Sequence, residues 1–350
     1  MPSFEPTLND KVAFLRDPAS YADGTRTVES IETHFAWVFL TAQHAYKLKK
    51  PVRYQDMDYV SLAARERGCR EELRLNRRLA PTVYQAVVPL SERNGRLTLG
   101  EGERVHDWLV KMVRLPSSRM LDHALRLGAV NEDDLGRVAF TLAEFFDQAT
   151  AMPIEESQYA VKLSTQIAAN REALRSYGAR LPQHLVAEVA SAQLEFVAAA
   201  GGTLAERGAH VVEGHGDLRA EHVYLGPPVA VIDCLEFARE LRLLDPVEEV
   251  ALLTLEMEQL GSAALAQSLS ERFRALTAHT APLYVCDFYV SHRAATRAKV
   301  AAWHLDDPQF PDPRPWIART ESLLAAAADH AQRALSGLKR QEAATAGRAG

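Results

Sequence analysis

The sequence predicts an α+β protein with two lobes, a small antiparallel sheet followed by a larger, mostly helical part. Short runs of aromatic and β-branched residues alternate with turn signals up to residue 115. From residue 116 onward, apolar residues recur at the spacing of amphipathic helices. A chain of 350 residues is long enough to bury two moderate cores. We therefore expect a first lobe over residues 1–115, a second over 116–340, and a disordered tail at 341–350.

The composition argues against several classes of partner and compartment. The formal net charge of −6 argues against general binding to nucleic acid. The three cysteines lie far apart with no CxxC pair, which favours a reducing compartment over a disulfide scaffold or a zinc site. Charged residues precede any apolar run at the N-terminus, and no stretch approaches the roughly 20 apolar residues of a membrane span. These features predict a cytoplasmic protein with no nucleic-acid or membrane partner.

The first lobe is predicted to hold a short helix, five strands and one longer helix. The short helix covers residues 10–16, the strands cover 35–40, 45–49, 83–89, 96–99 and 108–113, and the longer helix covers 61–79. Side-chain alternation in the second strand places Ala45, Lys47 and Lys49 on one face. Two interpretations remain open, namely solvated lysines on an edge strand or a lysine that binds phosphate.

The helix after this strand favours the second interpretation. Glu72 falls on the apolar stripe of the predicted helix, together with Cys69 and Leu75. A carboxylate on a buried stripe needs a cationic partner, which Lys47 or Lys49 could supply. A Lys–Glu pair between a strand and the following helix is a component of kinase active sites.

The second lobe is predicted to be helical except over residues 211–237. A helix that begins at Asn131 is followed by helices at 159–177, 182–206, 246–260, 262–277, 283–304 and 315–338. Strand-like runs at 223–225 and 229–232 flank a Gly-Pro-Pro turn. On the helix at 283–304, Arg293 and Arg297 are spaced i,i+4. They form either a solvated face or a binding site for a phosphate or carboxylate of the substrate.

Two aspartates stand at the ends of the non-helical segment. Asp217 lies in the glycine-flanked loop that begins at Gly214, and Asp233 follows the apolar run at 229–232. Phosphoryl transfer needs one carboxylate to orient a hydroxyl and another to hold a metal on the donor phosphates. The chain contains neither GxGxxG nor GxxxxGK[ST], so any phosphate-binding loop is expected at 32–37 without a glycine signature.

These motifs resemble the aminoglycoside phosphotransferase group of protein-kinase-like enzymes. The resemblance is carried by His215-Gly216-Asp217-Leu218 with Ile232-Asp233 sixteen residues after the first aspartate. Longer strings narrow it to a bacterial subgroup often fused to a P-loop kinase domain; they lie at residues 32–34, 46–52, 71–81 and 232–237. The resemblance covers roughly residues 30–300 and implies a bilobal protein-kinase-like fold. We expect no P-loop domain beside it in this chain.

The resemblance implies roles at the acceptor and metal side of the site. Asp217 would be the catalytic base or orienter of the acceptor hydroxyl, and Arg219 would neutralise charge on the transferring group. Asp233 would hold Mg²⁺ on the donor phosphates of ATP. Where the family pattern expects asparagine as the second metal ligand, this chain has His222. Imidazole is a poorer ligand for Mg²⁺, so three readings stay open: catalysis on the Asp233 metal, a softer ion such as Mn²⁺ at His222, or loss of the second metal.

The resemblance also implies the nucleotide-binding residues. Lys47 would contact the α- and β-phosphates and pair with Glu72, with Lys49 as the alternative on the same face. Residues 111–116 would form the hinge between the lobes, where the backbone around Lys111 and Met112 reads adenine.

The resulting expectation is an ATP-dependent small-molecule kinase that phosphorylates a hydroxyl group. Because the distinctive helix of the second lobe carries Arg293 and Arg297, the expected acceptor is neutral or anionic. The first alternative is a nucleotide-binding pseudokinase or regulator without turnover, motivated by His222 and the missing glycine-rich loop. The second is a helical interaction protein in which the aspartates only cap and turn.

Overall fold

The computed structural model of the protein describes residues 5–54 and 57–349. The chain forms two compact units, one made of Met1–Ala129 and Glu221–Arg242, the other of Val130–Ala220 and Leu243–Gly350. The first unit contains the antiparallel sheet and the second is mostly helical, which confirms the predicted α+β class. The segment 221–242 belongs to the unit that contains the sheet, although it follows many of the helices in sequence. The predicted lobe limits at 115 and 340 stay a prediction.

The strands of the described residues are short. They are β1 Glu29–Glu32, β2 Ala36–Leu40, β3 His44–Lys49, β4 Arg53–Tyr54, β5 Met57–Asp58, β6 Tyr84–Arg93, β7 Arg96–Leu99, β8 Arg104–Val113, β9 Val212–Glu213, β10 Val223–Tyr224, β11 Ala230–Val231 and β12 Leu243–Leu244. The α-helices are α1 Leu8–Arg16, α2 Leu62–Asn76, α3 Leu121–Arg126, α4 Glu132–Gln148, α5 Glu156–Arg175, α6 Gln183–Ala199, α7 Gly201–Arg207, α8 Pro246–Gln259, α9 Ala263–Leu276, α10 Leu283–Trp303 and α11 Arg314–Ala349.

The main sheet of the first unit is antiparallel, with the strand order β1-β2-β3-β8-β6-β7. The five predicted strands of this sheet are all present. The edge strand β1 was not predicted, because its sequence Glu-Ser-Ile-Glu is polar and mostly exposed. Pairing with β2, rather than burial of its own side chains, holds this segment in a strand conformation.

The two faces of β3 pack as the side-chain alternation predicts. Tyr46 and Leu48 lie in an apolar cluster with Val12 and Leu15 of α1. Ala45 lies in a second cluster on the α2 side, together with Cys69. The face shared by Ala45, Lys47 and Lys49 therefore looks toward α2.

Helical predictions in the second unit hold with two differences. The prediction of a single helix at 182–206 is wrong, because the helix is interrupted at Ala200, between α6 and α7. Gly201 and Gly202 follow that break, and glycine has a low helix propensity. The last helix, α11, extends through Ala349, over most of the tail that the sequence predicts as frayed.

The start of α8 is fixed by a buried ion pair. Asp245 caps the helix by accepting from the Val247 amide. Its carboxylate is buried and accepts two hydrogen bonds from Arg207, at 2.6 and 2.7 Å, and one from the Tyr289 hydroxyl at 2.8 Å. Asp245 therefore joins α8 to α7 and α10 as a structural residue.

Among the described residues, no individual helix has the length and apolar character of a membrane-crossing segment. The adjoining stretches Gln183–Ala199 and Gly201–His210 meet those limits only when counted together, and they are bent by 85° at the break.

A buried histidine holds α11 against the helices beside it. His330 Nδ1 lies 2.8 Å from Asp287 Oδ1 of α10, and its Nε2 lies 2.8 Å from Glu258 Oε2 of α8. Burial alone would lower the pKa of His330, but the two carboxylates raise it above its usual value. The charge of the neighbouring Arg333 opposes this increase. Because both ring nitrogens face carboxylates, the imidazolium is the form that this site stabilises.

We expect the stabilising effect of His330 to depend on pH. Since its pKa is higher in the folded than in the unfolded protein, its contribution is fully present below the unfolded value and is lost as the pH rises through the folded value. The loss of free energy of unfolding in His330→Gln should be larger at pH 6 than at pH 9. We expect the difference to be about 1.5–3 kcal/mol, the contribution of a hydrogen bond to a charged group. Urea titrations at the two pH values measure the difference. The exposed His184→Gln is the control, and an equal loss at both pH values would contradict the assignment.

Candidate active site

The loop that contains Asp217 is held from below by α8. Glu249, in the first turn of α8, accepts hydrogen bonds from the backbone amides of His215 and Gly216, the former at 2.8 Å. Two glycines make this possible. A Cβ at position 214 would lie 2.0 Å from Glu249 Oε2, and Gly216 adopts φ +90°, which side chains disfavour. The backbone before Asp217 is therefore fixed by a buried carboxylate.

The arginines of α10 face this loop. Arg293 Nη2 donates to the Gly216 carbonyl at 3.3 Å, and Arg297 Nη1 lies 3.7 Å from Asp217 Oδ1. Arg293 also lies 3.8 Å from Glu248 of α8. These contacts exclude the solvated-face interpretation of the two arginines, and their role in binding the substrate stays a prediction.

A second carboxylate of α8 meets Arg219. The Nε atom of Arg219 lies 3.5 Å from Glu256 Oε1, and Arg297 Nε lies 4.0 Å from the same oxygen. Glu249 and Glu256 are separated by seven positions, so they lie on one face of the helix, two turns apart. One stripe of α8 thus contacts both the start of the loop and the arginine that follows Asp217.

In the first unit, Lys47 lies between two carboxylates. Its Nζ is 2.6 Å from Asp233 Oδ1 and 3.0 Å from Glu72 Oε1. The side chain of Asp233 is 46% exposed and that of Lys47 17%, whereas Glu72 is fully buried. Burial alone would lower the pKa of Lys47, but the charges of Asp233 and Glu72 raise it above its usual value. Lys47 therefore carries a positive charge on the side of the cluster that solvent and solutes can reach.

Lys49 makes a different set of contacts. Its Nζ is 2.6 Å from Glu72 Oε2 and also pairs with Glu236, whose Oε1 accepts from the Tyr59 hydroxyl at 2.6 Å. The Lys49 side chain is only 2% exposed. Both lysines thus reach Glu72, but Lys49 is enclosed within the protein. Its position is that of a structural residue linking β3, α2 and the segment after β11.

Asp233 is set in place by its neighbours. Its backbone adopts φ +64°, and its amide donates to the Tyr84 hydroxyl at 3.1 Å. The next amide, of Cys234, donates to Asn76 Oδ1 at 2.9 Å. Desolvation would raise the pKa of the Asp233 carboxyl, but the charge of Lys47, with a contribution from His222, holds it below its usual range. The carboxylate is ionised at neutral pH.

His222 lies beside this aspartate. Its Nε2 is 3.8 Å from Asp233 Oδ2 and 3.8 Å from Glu221 Oε1. In the described parts of the chain, no group of three or more histidine, cysteine or acidic residues has the arrangement of a metal site.

Two further predicted residues, Lys111 and Met112, lie on β8 beside β3. Lys111 is paired with Tyr46 across β8 and β3, and its Nζ sits 5.9 Å from the Tyr46 ring, so its side chain occupies the opposite sheet face from Lys47. The Met112 side chain packs in the apolar cluster on the α2 side. Only their backbone remains as a candidate contact for a nucleotide base.

The turn between β1 and β2 has no glycine but is internally braced. Thr33 Oγ1 accepts from the Ala36 amide at 3.0 Å, and Lys50 Nζ reaches the Thr33 carbonyl at 2.7 Å and Glu32 Oε1 at 2.5 Å. These bonds supply the rigidity of the turn in the region where the sequence predicts a phosphate-binding loop.

Several residues of the site were missed from sequence. Glu249 carries no distinguishing signal at the start of the predicted helix at 246–260, and Glu236 pairs with a strand far away in the chain. Glu256 offered a usable signal, because it is a partly buried carboxylate among the apolar residues of α8 and so needs a cationic partner.

Comparison with known proteins gives similar folds and an uncharacterised relative. No family model matches the chain. A curated protein of Mycobacterium tuberculosis, described as uncharacterized, is 33% identical over 280 residues, which cover 77% of this chain and 53% of that protein. The chain thus spans about half the length of this relative. Whether a further domain accompanies it stays a prediction.

Solved structures show the same fold at low identity. A choline/ethanolamine kinase family protein from Mesorhizobium loti superposes with a TM-score of 0.57 and 15% identity, covering 95% of this chain and all of that one. The GDP complex of aminoglycoside 2'-phosphotransferase-IIIa gives a TM-score of 0.54 and 15% identity, covering 88% and 94% of the two chains. These neighbours confirm the protein-kinase-like fold that the motifs predict.

Proposed function

Because the chain has the protein-kinase-like fold of the aminoglycoside phosphotransferases and the choline/ethanolamine kinases, we propose that it is an ATP-dependent phosphotransferase acting on a hydroxyl of a small molecule. The observation that carries the proposal is the cluster of Lys47, Glu72 and Asp233. It combines a reachable lysine, a buried carboxylate that orients it, and an ionised, half-exposed aspartate. Phosphoryl-transfer enzymes use these three parts to bind the donor phosphates.

The roles in the reaction follow from chemistry. Asp217 orients the acceptor hydroxyl and takes its proton, the hydroxyl oxygen bonds to the γ-phosphorus, and ADP leaves. Arg219 balances charge on the phosphoryl group during transfer. Lys47 binds the donor phosphates, while Lys49 pairs with both Glu72 and Glu236 inside the protein.

The carboxylate of Asp233 fits Mg²⁺, because that ion prefers hard oxygen ligands and takes one or two carboxylates together with phosphates and water. When bound, Mg²⁺ would neutralise charge on the donor phosphates. His222 is a poorer match for Mg²⁺ and a better one for Mn²⁺. The reaction needs ATP, and no disulfide joins the three cysteines within the described residues, so we propose the cytoplasm as its location.

The alternative function is nucleotide binding without turnover, and the observation that favours it is His222 beside Asp233 in place of asparagine. The two functions differ in whether phosphate leaves ATP. A screen of ATP turnover across a metabolite library, with Mg²⁺ and with Mn²⁺, should find an acceptor for the wild type and none for Asp217→Ala.

We expect His222→Asn to change the metal preference. An amide oxygen suits Mg²⁺ better than imidazole does, so the ratio of turnover with Mg²⁺ to turnover with Mn²⁺ should rise about tenfold. Steady-state kinetics with both ions measure this ratio. His184→Asn, on the exposed face of α6, is the matched control. A ratio unchanged by His222→Asn would remove this histidine from the metal site, and ATP binding without turnover in every variant would favour the alternative function.

A further inference from the structure

Three arginines of the second unit converge on one carboxylate oxygen. Glu256 Oε1 lies 3.5 Å from Arg219 Nε, 3.8 Å from Arg319 Nη2 and 4.0 Å from Arg297 Nε. Asp217, 3.7 Å from Arg297, is the other carboxylate of the group. Three guanidinium charges therefore face two carboxylates.

The same unit shows what a satisfied structural arginine looks like. Arg207 is buried and makes two hydrogen bonds to Asp245, at 2.6 and 2.7 Å, besides two to backbone carbonyls. Such paired contacts are the usual arrangement of a guanidinium with a carboxylate. Arg297 and Arg319 stand about 1 Å farther from Glu256 than Arg207 stands from Asp245. Arg297 and Arg319 are therefore spaced to accept a further partner.

Unused hydrogen-bonding capacity points the same way. Among the residues that the structure describes, the buried Nε atoms of Arg293 and Arg297 have no hydrogen-bond partner. A buried donor without an acceptor is unfavourable, because its lost hydration is not replaced. Burial lowers the pKa of Arg297, and the charges of Arg219 and Arg319 add to this effect while Asp217 and Glu256 oppose it. An anion placed here would relieve both the missing bond and the excess of positive charge.

The group is open to solutes. The side chain of Arg319 is 48% exposed, whereas those of Arg297 and Glu256 are 16% and 14% exposed. Arg319 thus lies at the outer edge of the cluster, and Arg297 lies deeper, between Glu256 and Asp217.

We propose that the acceptor carries an oxyanion, a carboxylate or a phosphate monoester, in addition to its hydroxyl, and that Arg297 and Arg319 bind this oxyanion beside Asp217. The inference rests on the proposed function, since it names the acceptor class of the same reaction. Guanidinium groups bind both oxyanions through paired hydrogen bonds. The same charges repel a cationic acceptor.

The test uses hydroxyl compounds in matched forms, the neutral polyol, its carboxylate and its phosphate monoester; glycerol, glycerate and glycerol 3-phosphate are the smallest such set. We expect kcat/KM for one anionic form to exceed that for the neutral form at least tenfold. Arg319→Gln should lower this anionic-to-neutral ratio about tenfold. Arg314→Gln, the same change at a highly exposed position of α11 that pairs with Asp312, should leave the ratio unchanged. The preferred anionic form identifies the oxyanion as carboxylate or phosphate.

A binding arm separates failure of the inference from failure of the proposed function. Thermal unfolding with saturating ADP reports whether the same anionic probes bind, and whether Arg319→Gln weakens that binding about tenfold. Transfer that favours the neutral form, or a cationic hydroxyl compound, would overturn the inference and leave the proposed function standing. Arg319-dependent binding with no transfer to any compound of the metabolite library would support the inference as a binding site and overturn the proposed function. If the protein shows no transfer and no Arg319-dependent binding, both the inference and the proposed function are overturned.

Discussion

Asp217→Asn is expected to lower kcat by about a thousandfold and to leave the affinity for ATP within twofold of the wild type. General-base contributions are typically 10²–10⁴-fold, roughly. Asparagine keeps the size of the side chain but cannot accept the proton of the acceptor hydroxyl. The loop itself should stay in place, because Glu249 binds its backbone rather than the side chain of Asp217. Single-turnover kinetics and calorimetric titration with ATP measure the two quantities.

The control for this substitution is Asp306→Asn, the same chemical change at an exposed position of the second unit that pairs with Arg180. It should alter neither quantity. A kcat for Asp217→Asn within tenfold of the wild type would show that another group takes the proton, or that none is needed.

The second large effect is a contrast between two lysines on one face of β3. Lys47→Met should lower kcat/KM for ATP by about 10²–10³-fold, since contacts to charge on the transferring phosphates are worth several kcal/mol, and change stability little because Lys49 still pairs with Glu72. Lys49→Met should act mainly on stability, because it removes the lysine that Glu236 pairs with and leaves Glu72 to Lys47 alone. Loss of one partner of a buried ion pair costs about 3–5 kcal/mol.

Urea unfolding and ATP kinetics on both variants separate the two roles. The exposed fractions of the side chains, 17% for Lys47 and 2% for Lys49, are the basis of the assignment. The opposite outcome, in which Lys49→Met is stable and inactive while Lys47→Met is active, would exchange the roles and place the phosphates on the deeper lysine.

Local patterns in the sequence were sufficient for five strands of the six-stranded sheet, for α2 and for most helices of the second unit. The alternation along β3 correctly put Lys47 and Lys49 on one face, and the apolar stripe of α2 correctly put Glu72 inside. Such predictions succeed because side-chain periodicity is decided within a few residues. Strand β1 escaped because its order comes from pairing with β2 and not from its own side chains.

Which side chains of the site pair with each other depends on contacts between segments that are distant in the sequence. Glu236 meets Lys49 from 187 positions away, and Glu249 meets the backbone of His215 from 34. No local pattern encodes which carboxylate reaches which partner. Arg319 is the clearest case, since it is one of many charged residues on a long helix until the fold brings it to Glu256.

The central claim is that this chain transfers the γ-phosphoryl group of ATP to a hydroxyl. ³¹P NMR of the 350-residue chain with ATP, Mg²⁺ or Mn²⁺ and the acceptor found by screening follows this transfer directly. We expect the γ-phosphorus signal to be replaced by that of a phosphate ester as ADP forms, at a rate that falls about a thousandfold in Asp217→Asn. ATP that binds and stays intact, or that yields only inorganic phosphate at the same rate in both proteins, would contradict it.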